Sequence, residues 1–364
     1  MNTPARLSRR IWSLLCTAVT VAALLAGCGS SGSNSTQPPK TSTNATHDLS
    51  PDAAIDPAVG VATGPVRPVV AFNPSTFEGY HVYSSIPDHP VGVVYLFHGS
   101  GGGADIATKL ETVDVLNTLI SRGYGFVATE STNRTAKQWN VSDPSMTANA
   151  DLARMARLRQ HIVDTTAVDA GTPTFGIGMS NGSAFAALWA AASTKAGMPV
   201  RAVALYMAGP TRAVEQIGGL RVPTFMVVGQ NDTRTSPPKE RDDVARIAAA
   251  GIPTELHEVK ERPVTAVRYL RIPGIDQATA DAIVAAYRQA GFIDAGGNLT
   301  VALPKIVAGA QGNNLKSRVK LPASLTPAQR QAVGNETLAA IGEHQFNAEF
   351  KIQNADFFDA HRTR

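Results

Sequence analysis

Cysteine is nearly absent: the chain has two in 364 residues, Cys16 and Cys28. Two thiols near one end cannot form a disulfide framework, and nothing beyond Cys28 supplies a thiol nucleophile. Charge of one sign is also scarce. The formal excess is +4, and three of those charges are Arg6, Arg9 and Arg10, which leaves +1 for the remaining chain. That is no footprint for a nucleic acid. No grouping of His, Cys, Asp or Glu has metal-ligand spacing, so neither a metal nor a cofactor is expected. Internal repeats and coiled-coil heptads are absent as well. With 43% hydrophobic and 17% charged residues, the composition suits a globular protein with a substantial core.

The N-terminus has the pattern of an export signal. Arg6 to Arg10 form a basic stretch, Ile11 to Leu25 an apolar run, and Ala26 and Gly27 small residues. The run is short for a membrane span. Leu25-Ala26-Gly27-Cys28 resembles a bacterial lipobox, in which cleavage before the cysteine leaves it lipidated. An ordinary secretory signal with an incidental cysteine is the alternative. Residues 1–27 are therefore expected to be a signal peptide, with Cys28 the lipidation site, anchoring the exported protein to the bacterial cell envelope on its periplasmic or cell-surface side. Residues 28–66, rich in Ser, Thr, Asn, Gln, Pro and Ala, are expected to be a disordered tether.

Residues 67–364 are expected to form one α/β domain. Apolar strands (Tyr80 to Ser84, Gly92 to Phe97, Tyr124 to Ala128, Thr174 to Met179, Ala202 to Met207, Pro223 to Val228, Thr254 to Val259) alternate with helical stretches. That rhythm predicts a mostly parallel sheet covered on both faces. Residues 261–342 break it. Thr279 to Ala290 has helical spacing, and Thr326-Pro327-Ala328-Gln329 carries the N-cap, N1 proline and N3 glutamine of another helix start. This stretch is expected to be a mainly helical insertion over the pocket. Its apolar residues Tyr269, Leu270, Ile272, Tyr287 and Phe292 suit a small core of their own.

Gly178-Met179-Ser180-Asn181-Gly182 fits the G-x-S-x-G elbow, with a strand leading in and an alanine-rich helix, Asn181 to Ser193, leading out. Such a turn holds the serine hydroxyl proud of the sheet, beside a helix N-terminus that favours negative charge. The alternative for Ser180 is a helix-capping serine. His98-Gly99-Ser100-Gly101-Gly102-Gly103 follows an earlier strand, and its glycines let backbone amides approach a developing oxyanion. The expected donors are the amides of Asn181 and of Ser100 or Gly101. A phosphate loop is the rival, but the Lys-Ser/Thr ending and G-x-G-x-x-G spacing are missing. His98 is expected to orient the loop.

A serine hydroxyl needs a base, and the base needs an orienting carboxylate. Asp232 lies just past the strand Pro223 to Val228, at the sheet edge where Ser180 emerges. Glu240, Asp242 and Asp243 belong to the next helix and are expected to be solvated. His257, His344 and His361 follow Asp232. His257 sits within a strand and His361 at the frayed C-terminus, whereas His344 lies in a loop before a final packing helix. His344 is the expected base. Trp139, in the long loop after Ala128, suits either a pocket wall or the core.

From about Val93 to Asp232 the sequence resembles α/β-hydrolase esterases, particularly the poly(3-hydroxybutyrate) depolymerase-like and feruloyl-esterase-like group. The strand ending in His98-Gly99, the run from Asp151 to Asp164 and the elbow carry the resemblance. It implies an α/β-hydrolase fold with Ser180 as nucleophile, Asp232 as acid and His344 as base. It departs at Ser183, where many relatives carry glycine, and in the position of the base 112 residues beyond the acid, across the insertion. The implied activity is hydrolysis of a small-molecule or polymeric carboxylic ester through an acyl-enzyme. Acyl transfer or peptide cleavage on the same fold, and ligand binding on an inactive scaffold, remain as alternatives.

Overall fold

The computed structural model describes residues 53–198, 200–300 and 319–363. The signal peptide, Cys28 and most of the expected tether lie outside the described residues. So does part of the insertion, residues 301–318.

Among the described residues, eight strands form one sheet: β1 (Asn73–Phe77), β2 (Tyr80–Ser85), β3 (Gly92–Phe97), β4 (Tyr124–Thr129), β5 (Thr174–Met179), β6 (Ala202–Tyr206), β7 (Thr224–Gly229) and β8 (Thr254–Val259). Their spatial order is β1-β2-β4-β3-β5-β6-β7-β8, with β2 antiparallel to its neighbours and β3 to β8 running parallel. The central strands β3, β4 and β7 are buried along their whole length, which is why they read as unbroken apolar runs. The edge strand β8 reads Thr-Glu-Leu-His-Glu-Val, with charged residues that blunt an unpaired rim.

One face of the sheet is covered by α2 (Ala150–Thr165), α3 (Asn181–Lys195) and α5 (Pro237–Ala249), through Leu152, Leu158, Phe185, Trp189 and Ile247. The other is covered by α1 (Leu110–Ser121) and the C-terminal α9 (Lys351–Ala360), through Leu116, Leu119, Phe357 and Phe358. A short α4 (Arg212–Gln216) lies between β6 and β7.

The insertion contributes α6 (Ala266–Leu270), α7 (Gln277–Gln289) and α8 (Pro327–Ala340). The capping box at Thr326 and Gln329 forms as its sequence predicts. Tyr269, Ile272, Tyr287 and Phe292 are buried in a separate cluster with Leu270 packed against it, so these residues are the insertion's own core. The insertion is fastened to α1 by buried ions. Arg271 contacts Glu111, Asp114 (2.7 Å) and Glu336 (2.8 Å), and Lys351 adds a second cation on Asp114 at 2.6 Å. Burial raises the carboxyl of Glu336, and neighbouring Glu111 raises it further. Glu111 is held ionised by Arg271 and Arg268 against the same desolvation.

Two expectations need correction. The disordered stretch does not extend to residue 66, because Val59, Val61, Ala62 and Val66 are buried. The Val66 amide donates to Arg271 O, and the Arg262 guanidinium donates to Pro57 O, so this segment docks on the insertion. Nor are Glu240 and Asp243 solvated: only 2% and 4% of them is exposed. The helix carrying them starts at Pro237, where proline at the first helical positions is favourable.

Candidate active site

Along the sheet, β3 leads to β4 on one side, and the chain then crosses back to β5 on the other. That reversal opens a crevice at the carboxyl ends of β3 and β5, where α/β sheets hold their ligands. The His98 loop leaves β3 and the Ser180 turn leaves β5, so both line this crevice.

Ser180 is held at φ 56°, ψ −121°, a backbone conformation that L-residues rarely adopt. Its neighbours explain why the turn reads G-x-S-x-G. A Cβ on Gly178 would lie 2.2 Å from Gly182 O, and one on Gly182 would lie 2.2 Å from Phe97 O. Both obstacles are backbone and cannot step aside. Gly182→Ala should therefore push α3 off β3, destabilising the chain by about 1–3 kcal/mol and displacing Ser180. Thermal unfolding together with an activity assay checks this. The Ser180 side chain makes no capping bond to α3, which removes the helix-cap alternative.

The structure brings the three expected residues together from three elements. His344 Nε2 lies 2.8 Å from Ser180 Oγ, and His344 Nδ1 lies 2.7 Å from Asp232 Oδ2. Asp232 follows β7, and its side chain is fully buried. Its Oδ1 accepts the amides of Arg234 (2.8 Å) and Thr235 (3.0 Å), and its Oδ2 also accepts the Thr235 hydroxyl (2.7 Å). Burial alone would raise this carboxyl, but the His344 and Thr235 hydrogen bonds outweigh it and keep Asp232 below its ordinary value.

An eight-stranded sheet in this order, its second strand antiparallel, with a strained serine after β5, an acid after β7 and a histidine beyond β8, decides the architecture. The chain has the α/β-hydrolase fold.

Within this fold the His98 loop departs from expectation at one residue. The Gly101 amide donates to Lys137 O at 3.0 Å, so it is not free to meet an oxyanion. Ser100 and Asn181 then remain as the expected amides, Asn181 being the first residue of α3, where no carbonyl within the helix can satisfy it. His98 holds the loop from beneath. Its Nδ1–H donates to Gly99 O (2.7 Å), and its Nε2 accepts the Ser131 amide (3.1 Å), which fixes a neutral tautomer. Burial lowers the imidazole's pKa in the same sense.

Several supporting residues carried no signal in the sequence. The Asn181 side chain clamps the Trp139 backbone, accepting its amide at 2.7 Å and donating to its carbonyl at 3.2 Å. The Trp139 indole N–H donates to His98 O, and its ring stacks on Phe185, so this tryptophan belongs to the core. Glu343 ties the Asp232 loop to the His344 loop: its Oε1 accepts the His344 amide (2.9 Å), the Thr233 amide (3.1 Å) and the Thr233 hydroxyl (3.0 Å). The insertion closes at the same place, where the Asn231 amide donates to Gly342 O at 2.9 Å. The other two histidines are engaged elsewhere, His257 stacked on Phe225 and His361 bonded to Phe357 O.

No protein-family model matches the sequence, and no curated protein matches it. Among solved structures it is similar to an acetyl xylan esterase from Aspergillus awamori, at 14% identity over 50% of this chain and 80% of that one, with a TM-score of 0.41. It is also similar to a thermostable esterase (15%, 51% of this chain and 54% of that one, TM-score 0.40) and a carboxylesterase from Mesorhizobium loti (16%, 52% and 89%, TM-score 0.37). These likenesses are too distant to carry an assignment. The fold is read from the strand order and the turn at Ser180.

Proposed function

We propose that this chain is a serine hydrolase of carboxylic esters. The observation that carries the reading is the unbroken chain of contacts from Ser180 Oγ through the His344 imidazole to the Asp232 carboxylate. Ser180 Oγ attacks the ester carbonyl while His344 Nε2 takes its proton. Asp232 holds the imidazole with Nδ1–H facing it and Nε2 free to act as base. The amides of Asn181 and Ser100 stabilise the oxyanion. His344 then returns the proton to the leaving alcohol, and water attacking the acyl-enzyme reverses the sequence. The first proton transfer runs between two groups already in contact, Ser180 Oγ and His344 Nε2.

The insertion, whose ends close on the acid loop, is proposed as the element that sets substrate range. The sequence around Cys28 supports export and lipid anchoring; Cys28→Ser should then release the protein from the membrane fraction of its native cells. A panel of p-nitrophenyl esters of increasing acyl length tests the activity. Turnover of at least one ester is expected, and inertness towards the whole panel would favour the ligand-binding alternative.

A further inference from the structure

Glu240 lies in the first turn of α5, behind the acid loop, and the mechanism above makes no use of it. It is 2% exposed, neither carboxyl oxygen completes a hydrogen bond, and Thr235 lines the same cavity beside it. Thr235 is already engaged, since its single hydroxyl proton goes to Asp232 Oδ2 at 2.7 Å. An ionised Glu240 would therefore be a second carboxylate beside Asp232, competing for one proton. A protonated Glu240 has a proton to give, and the lone pairs of Thr235 Oγ1 are there to receive it.

We infer that Glu240 is a positioning residue: its carboxyl O–H donates to Thr235 Oγ1 and so fixes the Thr235 hydroxyl on Asp232 Oδ2. The inference rests on the serine-hydrolase reading and extends its chain of contacts by two residues, to Glu240–Thr235–Asp232–His344–Ser180. The surroundings favour the neutral form. Burial raises the Glu240 carboxyl and the Asp232 charge raises it further, and the opposing pulls of the Thr235 side chain, His344 and Lys239 do not cancel this. The proton on Glu240 does not take part in the reaction. It sets the direction of a hydroxyl, so that Asp232 keeps four donors and its Oδ2 stays aligned with His344 Nδ1.

Three variants test it: Glu240→Ala, Glu240→Gln and Thr235→Val. Glu240→Ala should lower kcat for a p-nitrophenyl ester about tenfold with KM unchanged, the size expected for one misdirected hydrogen bond. Glu240→Gln, whose amide N–H can donate to Thr235 Oγ1, should recover most of that loss. Thr235→Val should lower kcat by a similar factor, and adding Glu240→Ala to it should lower kcat no further. The downfield proton resonance of His344 Nδ1–H should shift in Glu240→Ala and stay in place in Glu240→Gln. Full kcat in Glu240→Ala, no recovery in Glu240→Gln, or multiplying effects in the double variant would each overturn the inference. The two readings fail separately. A wild-type protein that hydrolyses no ester counts against the proposed function, and the resonance still reports whether Glu240 orders the hydrogen bond to His344.

Discussion

Replacing His344 by alanine is expected to lower kcat for ester hydrolysis by about 10⁴ to 10⁶, with the fold intact. Among the described residues, the imidazole is the only group hydrogen-bonded to both Ser180 Oγ and Asp232 Oδ2, at 2.8 and 2.7 Å. Without it the serine hydroxyl has no acceptor for its proton, and Asp232 is a fixed charge with nothing to orient. Because the three residues act as one unit, Ser180→Ala/His344→Ala should be no slower than either single variant. Circular dichroism and thermal unfolding would show that the loss is chemical. A residual rate within tenfold of wild type would remove His344 from the base role and with it the proposed mechanism.

The largest stability effect is expected at Arg271. Its guanidinium is fully buried and touches Glu111, Asp114 and Glu336, three carboxylates from α1 and α8. Arg271→Met keeps most of the volume and deletes the charge, leaving Arg268 and Lys351 to face three buried acids. Breaking a buried ion pair from one side costs about 3–5 kcal/mol, because the stranded charges have left water without a partner. For a chain of this size that corresponds to a fall in Tm on the order of 10 °C. The damage should concentrate in the insertion and the 53–66 segment docked on it, so limited proteolysis should cut the insertion before the sheet domain. Unchanged Tm and unchanged proteolysis would show that the cluster does not fasten the insertion.

Local features of the site were legible in the sequence, and those depending on distant neighbours were not. The turn at Ser180 is encoded by adjacent residues, since Gly178 and Gly182 are required by backbone atoms next to them. Asp232 could be placed because a buried parallel strand announces itself by an unbroken apolar run. His344 follows from chain order and from setting aside a histidine within a strand and one at the C-terminus, since no motif marks it. Gly101 looked equivalent to Ser100 because the Lys137 carbonyl that takes its amide arrives from 36 residues away. The burial of Glu240 was hidden by the charges around it, Lys239, Arg241 and Asp242, which give its helix a solvated appearance. Val59, Val61 and Val66 are apolar residues scattered through a polar stretch, and the insertion to which this segment hydrogen-bonds lies far along the chain.

The central claim is that Ser180 is a nucleophile activated by His344. Its most direct measurement is covalent labelling with a fluorophosphonate, followed by mass spectrometry of the modified peptide. The account predicts one adduct on Ser180, none in Ser180→Ala and greatly slowed labelling in His344→Ala. Wild-type protein that fails to label, or that carries the adduct on another serine, would contradict it.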